Sequence, residues 1–170
     1  IKVDGAIAGT DDSCSSQSHI YAVGDCTVRA ALTPVAIAEG RAFADTVFGH
    51  KPSAVSHHKI PTAVFSQPEA ATVGMTEAEA QEHYGDGVKV YRARFRPMFY
   101  SLPKVDVKVM VKLIVEGADE RILGMHMVGK DAAEIIQSFA PVLLMNGTKA
   151  DLDRTMALHP STAEEFVTLR

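Results

Sequence analysis

The chain is poor in cysteine, in excess positive charge and in long apolar runs, and each shortage excludes a class of function. Only Cys14 and Cys26 occur in 170 residues. No disulfide framework can hold so large a fold with one pair, and a reducing compartment, the cytoplasm, is expected. Eleven residues separate the two cysteines, which is neither the redox C-x-x-C spacing nor that of a zinc knuckle. Lys+Arg number 17 against 21 Asp+Glu, for a net charge of -4, so there is no basic footprint for nucleic acid. No apolar run approaches the roughly 20 residues that a membrane-spanning helix needs. The G-x-G-x-x-G fingerprint, the Walker loop and the G-x-S-x-G elbow are also missing. The chain starts at Ile1 without a secretion leader pattern, and reads as a piece of something longer.

What remains is an ordinary globular composition, 46% hydrophobic and 22% charged with Gly 12 and Pro 8, which excludes disordered and collagen-like chains. Residues 1–19 read as loop around a short strand, and Ile20 to Val23 as a brief strand ending at Gly24-Asp25. Thr33-Pro34 is a helix start, with Thr33 placed to cap and Pro34 in the first turn. Ala36, Gly40, Phe43 and Val47 follow at helical spacing, and Gly49 is the stop. The polar stretch Gly49 to Lys59 reads as a linker between a segment 1–56 and a domain 57–170.

Beyond the linker, Thr62 to Ser66, Ala71 to Met75 and Val88 to Phe95 are strand candidates, and Thr76-Glu77-Ala78-Glu79 has capping-box spacing. Val105 to Val115 alternates apolar and polar residues, the period of a strand with one wet face. Glu116 to Asp119 turns it into Ile122 to Val128, predicting a hairpin. Asp131 is placed to cap a helix with an apolar stripe of Ala132, Ile135, Ile136, Phe139, Val142 and Leu143, ended by Asn146-Gly147. A last helix is predicted from Ser161. The domain is therefore α+β, an antiparallel sheet with flanking helices, preceded by the strand and helix of an α/β segment.

Two places have the residue types for chemistry. Gly24-Asp25 puts a carboxylate at a strand end, where α/β folds bind ligands, and the helix from Thr33 aims its positive end at nearby negative charge. A plain turn with a solvated Asp has the same pattern. In His159-Pro160-Ser161-Thr162-Ala163-Glu164-Glu165, Glu164 can reach back toward His159. A carboxylate orients an imidazole and stabilises its protonated form, which suits acid–base work near neutrality. Ser161 and Glu164 equally satisfy a capping box without catalysis. No metal is predicted: His57-His58 has no Cys or carboxylate at ligand spacing and reads as solvated loop. The aromatic run Phe95 to Tyr100, broken by Pro97, is either a binding edge or a loop packed on the sheet.

Taken in order, four segments resemble the flavin-dependent pyridine nucleotide–disulfide oxidoreductases. Ile20 to Asp25 (IYAVGD) is similar to the family's second flavin-contacting motif, and Leu32 to Arg41 (LTPVAIAEGR) to the helix whose start faces the flavin. Ile60 to Ser66 (IPTAVFS) resembles the opening of the dimerisation domain, and His159 to Glu165 (HPSTAEE) the terminal active-site motif. The resemblance implies FAD and NADPH as cofactors, with Gly24, Asp25, Ala31, Leu32, Thr33, Ala63, His159 and Pro160 on the cofactor side. It implies His159 as the acid that protonates a departing thiolate and Glu164 as the residue that orients and charges it, with a cis His159–Pro160 bond. It implies a homodimer in which His159 serves the other subunit's flavin and dithiol.

Around Arg41, Phe95 to Met98 and Glu164 to Arg170 the likeness is to members that reduce glutathione disulfide. Trypanothione-type members differ at Arg41, and lipoamide-type members around the Thr33 helix. Arg41, Phe95, Met98, Glu165 and Thr168 are the implied substrate contacts. The family's amino-terminal flavin fingerprint, redox cysteine pair and NADPH domain have no counterpart here. The chain thus resembles the C-terminal portion, with the end of the flavin domain over 1–56 and the interface domain over 57–170. A dimerisation module with no activity of its own is the alternative for the isolated chain.

Overall fold

A computed structural model describes residues 2–3, 5–103 and 105–170. Ile1, on which the reading of the chain's start rests, lies outside the described residues. The chain divides into two compact units, Ile1–His58 and Lys59–Arg170.

In the first unit, the two-residue strands β1 (Lys2–Val3) and β2 (Ala6–Ile7) pair antiparallel. A 3-10 turn spans Gly24–Cys26, and helix α1 runs over Thr33–Val47. Two expectations fail here. Ile20 to Val23 forms no strand: Tyr21 makes a single antiparallel bridge to Cys14, and a strand needs a ladder of such pairs. Thr33 is not the cap but the first helical residue; Leu32 precedes it and offers no side-chain acceptor. Pro34 does lie in the first turn, where its missing N–H costs nothing.

The second unit is built on β3 (Thr62–Val64), β4 (Ala70–Gly74), β5 (Val88–Phe95), β6 (Val109–Glu116) and β7 (Arg121–Val128). They form one antiparallel sheet in the order β3-β4-β7-β6-β5. Helix α2 (Glu77–Tyr84) starts on the capping box expected at Thr76 and Glu79, with both reciprocal bonds made. Helices α3 (Ala132–Leu144), α4 (Lys149–Asp153) and α5 (Glu164–Thr168) follow. The alternation in β6 sends Val109, Val111, Leu113 and Val115 into the core with Val73, Met125, Met127, Ile136, Leu143 and Phe166. Ile114 faces the other way and joins Leu123 and Ala80 of α2 in a second small cluster. Each Val, Leu, Ile, Met or Phe side chain among these contributes about 1.5–3 kcal/mol when fully buried.

The strand expected from Val105 starts only at Val109, and Val105 is 47% exposed. Its partner explains why. The last β5–β6 pair is Phe95 with Val109; the next residues of that edge are Arg96 and Pro97, and proline has no N–H for the ladder. Asp131 stands at the start of α3 but makes no side-chain cap, its φ being +64°. The free N–H of Ala133 is accepted by Glu69 Oε2 at 3.3 Å, a cap supplied from far away in sequence. Among the described residues no helix is long and apolar enough to cross a membrane, and no group of His, Cys, Asp and Glu is arranged to hold a metal ion.

Candidate functional site

The second unit carries a cleft of about 320 Å³, lined by six of the predicted site residues: Phe95, Met98, His159, Pro160, Glu164 and Glu165. One wall is the start of α5. Ser161 Oγ accepts the Glu164 N–H at 3.2 Å, and the Ser161 N–H is donated to Glu164 Oε1 at 3.3 Å, the reciprocal pattern that the spacing predicts. The same carboxylate holds His159: Nδ1 lies 3.1 Å from Oε1 and 3.2 Å from Oε2. The reciprocal Ser161–Glu164 bonds and the imidazole–carboxylate pair, alternatives in the sequence, meet on one side chain, although α5 starts at Glu164 with Ala163 before it, three residues later than the start predicted at Ser161.

Glu164 is largely enclosed, at 15% side-chain exposure, while His159 is 71% exposed. A carboxylate sheltered from water orients its partner better than a solvated one. With Nδ1–H donated to Glu164, Nε2 is the nitrogen left free for a ligand. The His159–Pro160 peptide is cis. The segment is anchored from behind by Phe166, Val167 and Leu169, which sink into the core. The rings of Phe166 and Phe139 meet with centroids 5.0 Å apart.

The opposite wall is where the chain leaves β5. Phe95 makes the last rung, Arg96 and Pro97 depart, and Met98–Tyr100 closes a 3-10 turn. Phe95, Met98 and Phe99 line the cleft, and Met98 is 60% exposed. Glu165, half-buried in the same cleft, has no side-chain partner among the described residues. Burial, and then the adjacent Glu164 charge, push its carboxyl above the ordinary value. Thr168 lies outside the cleft lining, its Oγ1 donating to the Glu164 carbonyl at 3.0 Å. Ala63 is also elsewhere, packed on the main core from β3.

The cofactor-side candidates of the first unit gather at the Gly24 turn and the start of α1. Gly24 has φ +69°, a region that glycine enters without strain, and an added Cβ would meet Ala36 Cβ at 3.0 Å. Asp25 is exposed and has no partner among the described residues. The first turn of α1 has neither an acidic residue nor a side-chain cap, so its amides remain available. Ala31 and Thr33 are exposed and Leu32 half-buried. Arg41, further along α1, is exposed with no hydrogen-bond or ion-pair partner among the described residues.

Sequence reasoning missed Glu39, which is 1% exposed. Its Oε2 accepts the Gly24 N–H at 2.6 Å; its Oε1 accepts from Arg29 Nη1 at 3.0 Å and from His57 Nε2 at 2.7 Å. Burial alone would push this carboxyl up, but the bonds from Gly24, His57 and Arg29 outweigh it and hold it below the usual value. His57 is therefore not solvated loop: its side chain is 22% exposed, drawn in by the buried charge. The available signal was position. Glu39 falls three residues after Ala36 and four before Phe43, on the inward stripe of α1, where a charge demands partners.

Residues 60–170 match the pyridine nucleotide-disulphide oxidoreductase dimerisation domain, and the chain belongs to that family. A glutathione reductase of Nostoc sp. (strain PCC 7120) is 55% identical over 166 residues, which is 97% of this chain and 36% of that protein. One of Burkholderia cepacia is 53% identical, covering 98% of this chain and 37% of its own length. The chloroplastic/mitochondrial glutathione reductase of Pisum sativum is 48% identical over 98% of this chain and 30% of its own length. The chain thus spans about a third of the length of these curated relatives.

Proposed function

We propose that the chain is the C-terminal part of a cytoplasmic flavoprotein that uses NADPH and FAD to reduce glutathione disulfide, and that it supplies the homodimer interface and the acid–base pair. The observation that carries this reading is the open cleft in which His159, held at Nδ1 by Glu164, faces solvent beside Phe95, Met98 and Glu165.

The residues present fit the cofactor. Asp25, exposed and unpartnered, can accept from hydroxyl groups, and the uncapped start of α1 at Ala31, Leu32 and Thr33 can face an electron-rich ring edge. Gly24 lets the backbone approach; Ala63 and the backbone at Ala31 would lie on the nicotinamide side. FAD, when bound, would supply the relay of electrons from NADPH to a dithiol.

In the disulfide step, a thiolate from that dithiol attacks one sulfur of glutathione disulfide. The S–S bond breaks and its electron pair leaves on the other sulfur. His159, as imidazolium, gives its Nε2 proton to the departing thiolate while Glu164 keeps Nδ1–H and the positive charge in place. Pro160 fixes the backbone beside the imidazole. Glutathione carries carboxylates and an amine. Arg41, a free guanidinium, suits the former and the unpaired Glu165 the latter, with Phe95 and Met98 as the apolar wall and Thr168 bracing Glu164. No cysteine lines the cleft among the described residues; in this reading the dithiol comes from another part of the intact homodimer, as the family resemblance implies, and the 170 residues alone serve as an interface module.

The test is His159→Ala in the intact flavoprotein. Turnover of glutathione disulfide should fall by about 100-fold or more, while flavin reduction by NADPH in stopped flow keeps its rate. Undiminished turnover removes His159 from the chemistry.

A further inference from the structure

We propose that Glu39 is a positioning residue for the flavin: its buried carboxylate fixes the Gly24 turn that presents Asp25 against the open start of α1. The proposal rests on the flavoprotein reading above and adds to it a residue acting through another.

A carboxylate at 1% exposure gives up its hydration, and a buried ion pair commonly stabilises a fold no better than apolar residues of the same volume would. Stability is thus a poor reason for a charge on the inward stripe of α1. Its contacts supply another. Oε2 takes the Gly24 N–H at 2.6 Å, a short charge-assisted bond at the positive-φ residue immediately before Asp25. Oε1 takes Arg29 and His57 together.

Arg29 in turn donates to Ser13 Oγ at 3.2 Å and to the Thr10 carbonyl. The Gly24 carbonyl is held from the other side by the Thr27 N–H at 3.0 Å and Thr27 Oγ1 at 2.8 Å. Both backbone polar groups of Gly24 are therefore occupied, one of them by a charge carried on the helix whose first turn is the second flavin contact. The turn and the helix start cannot drift apart while the Glu39 bond stands, and Asp25, which has no contact of its own, takes its position from Gly24.

The experiment is a double-mutant cycle on FAD affinity in the intact flavoprotein, made with Glu39→Gln, Asp25→Ala and both. It is read as quenching of flavin fluorescence on reconstitution of the apoprotein. Glutamine can accept through only one atom and turns an N–H2 group toward the remaining donors. Glu39→Gln should raise the FAD Kd at least tenfold, and the double variant should bind no worse than Asp25→Ala alone. An unchanged Kd in Glu39→Gln, or losses that multiply in the double variant, overturns the proposal, because a merely structural residue weakens binding independently of Asp25. If Glu39→Gln does not fold, Glu39→Asp, which keeps the charge and shortens its reach by one methylene, replaces it with the same criterion. Wild-type protein that takes up no FAD defeats the flavoprotein reading itself, an outcome distinct from a flavin-loaded wild type with multiplying losses.

Discussion

The two units are held by different forces. Lys59–Arg170 has a continuous apolar core, with Val109, Val111, Leu113, Met125, Leu143 and Phe166 all fully enclosed. In Ile1–His58, the buried apolar side chains among the described residues are Ala22 and Val35, whereas Ser13, Thr27 and Glu39 are buried polar groups. One unit is cohesive through area removed from water, which is non-directional and tolerant. The other is cohesive through a few directed bonds converging on one carboxylate, which fix geometry while adding little net stability. The unit with the His159–Glu164 pair stands on its own core; the unit with the flavin-side candidates is organised for position.

The largest effect that can break this contrast is Phe166→Ala. It should destabilise the second unit by about 3–5 kcal/mol, against about 2 kcal/mol for Val35→Ala in the first. Hydrogen exchange reads each unit separately, and equal losses would mean that the units do not differ in core. Next comes Arg41, to which the proposed function gives a hold on substrate rather than on structure. In the intact flavoprotein, Arg41→Met should raise the KM for glutathione disulfide about tenfold or more, since bonds to charged groups are worth about 1.5–3 kcal/mol, with little change in kcat. An unaltered KM releases Arg41 from the site.

The smallest effect is the acid response, and it separates the units by pH. Glu39 titrates below its ordinary value of 4.5 when folded, so its contribution is present above about that pH and is lost as pH falls through the lower folded value. In the second unit, His126 is held below its ordinary 6.5, first by burial. Its ring fits the neutral form, with Nε2–H donated to the Met75 carbonyl at 3.0 Å and Nδ1 accepting from Thr72 Oγ1 at 2.6 Å. The unfolded chain then binds the proton more readily, so the second unit weakens as pH falls from about 6.5 through the lower folded value. Exchange against pH should show this unit loosening first, and His126→Gln should remove that early slope. The same onset in both units would refute the assignment.

Local pattern carried most of the second unit into view. The strands, the Thr76 capping box and the α3 stripe rest on spacings of two to four residues, and one wall of the cleft is nearly as local, because Ser161 and Glu164 are three apart and His159 only five from Glu164. What the sequence hid was held from a distance. Glu69 caps α3 from 64 residues away, and the three donors to Glu39 lie 15, 10 and 18 residues from it. Val105 looked like strand because alternation reports a side chain's face, while pairing depends on a partner that ends at Phe95. Ile20 to Val23 failed for the same reason, having apolar residues but no ladder.

Glu164 binds two duties into one atom group. The carboxylate that starts α5 is also the one that aims His159, so the tail cannot be docked yet unarmed, or armed while undocked. Mutational paths through this segment are correspondingly narrow: a side chain chosen to improve the helix start alone, or the imidazole alone, surrenders the other. The segment thus tests its own assembly, since the imidazole acquires its aim only when the carboxylate at the head of α5 has found its place.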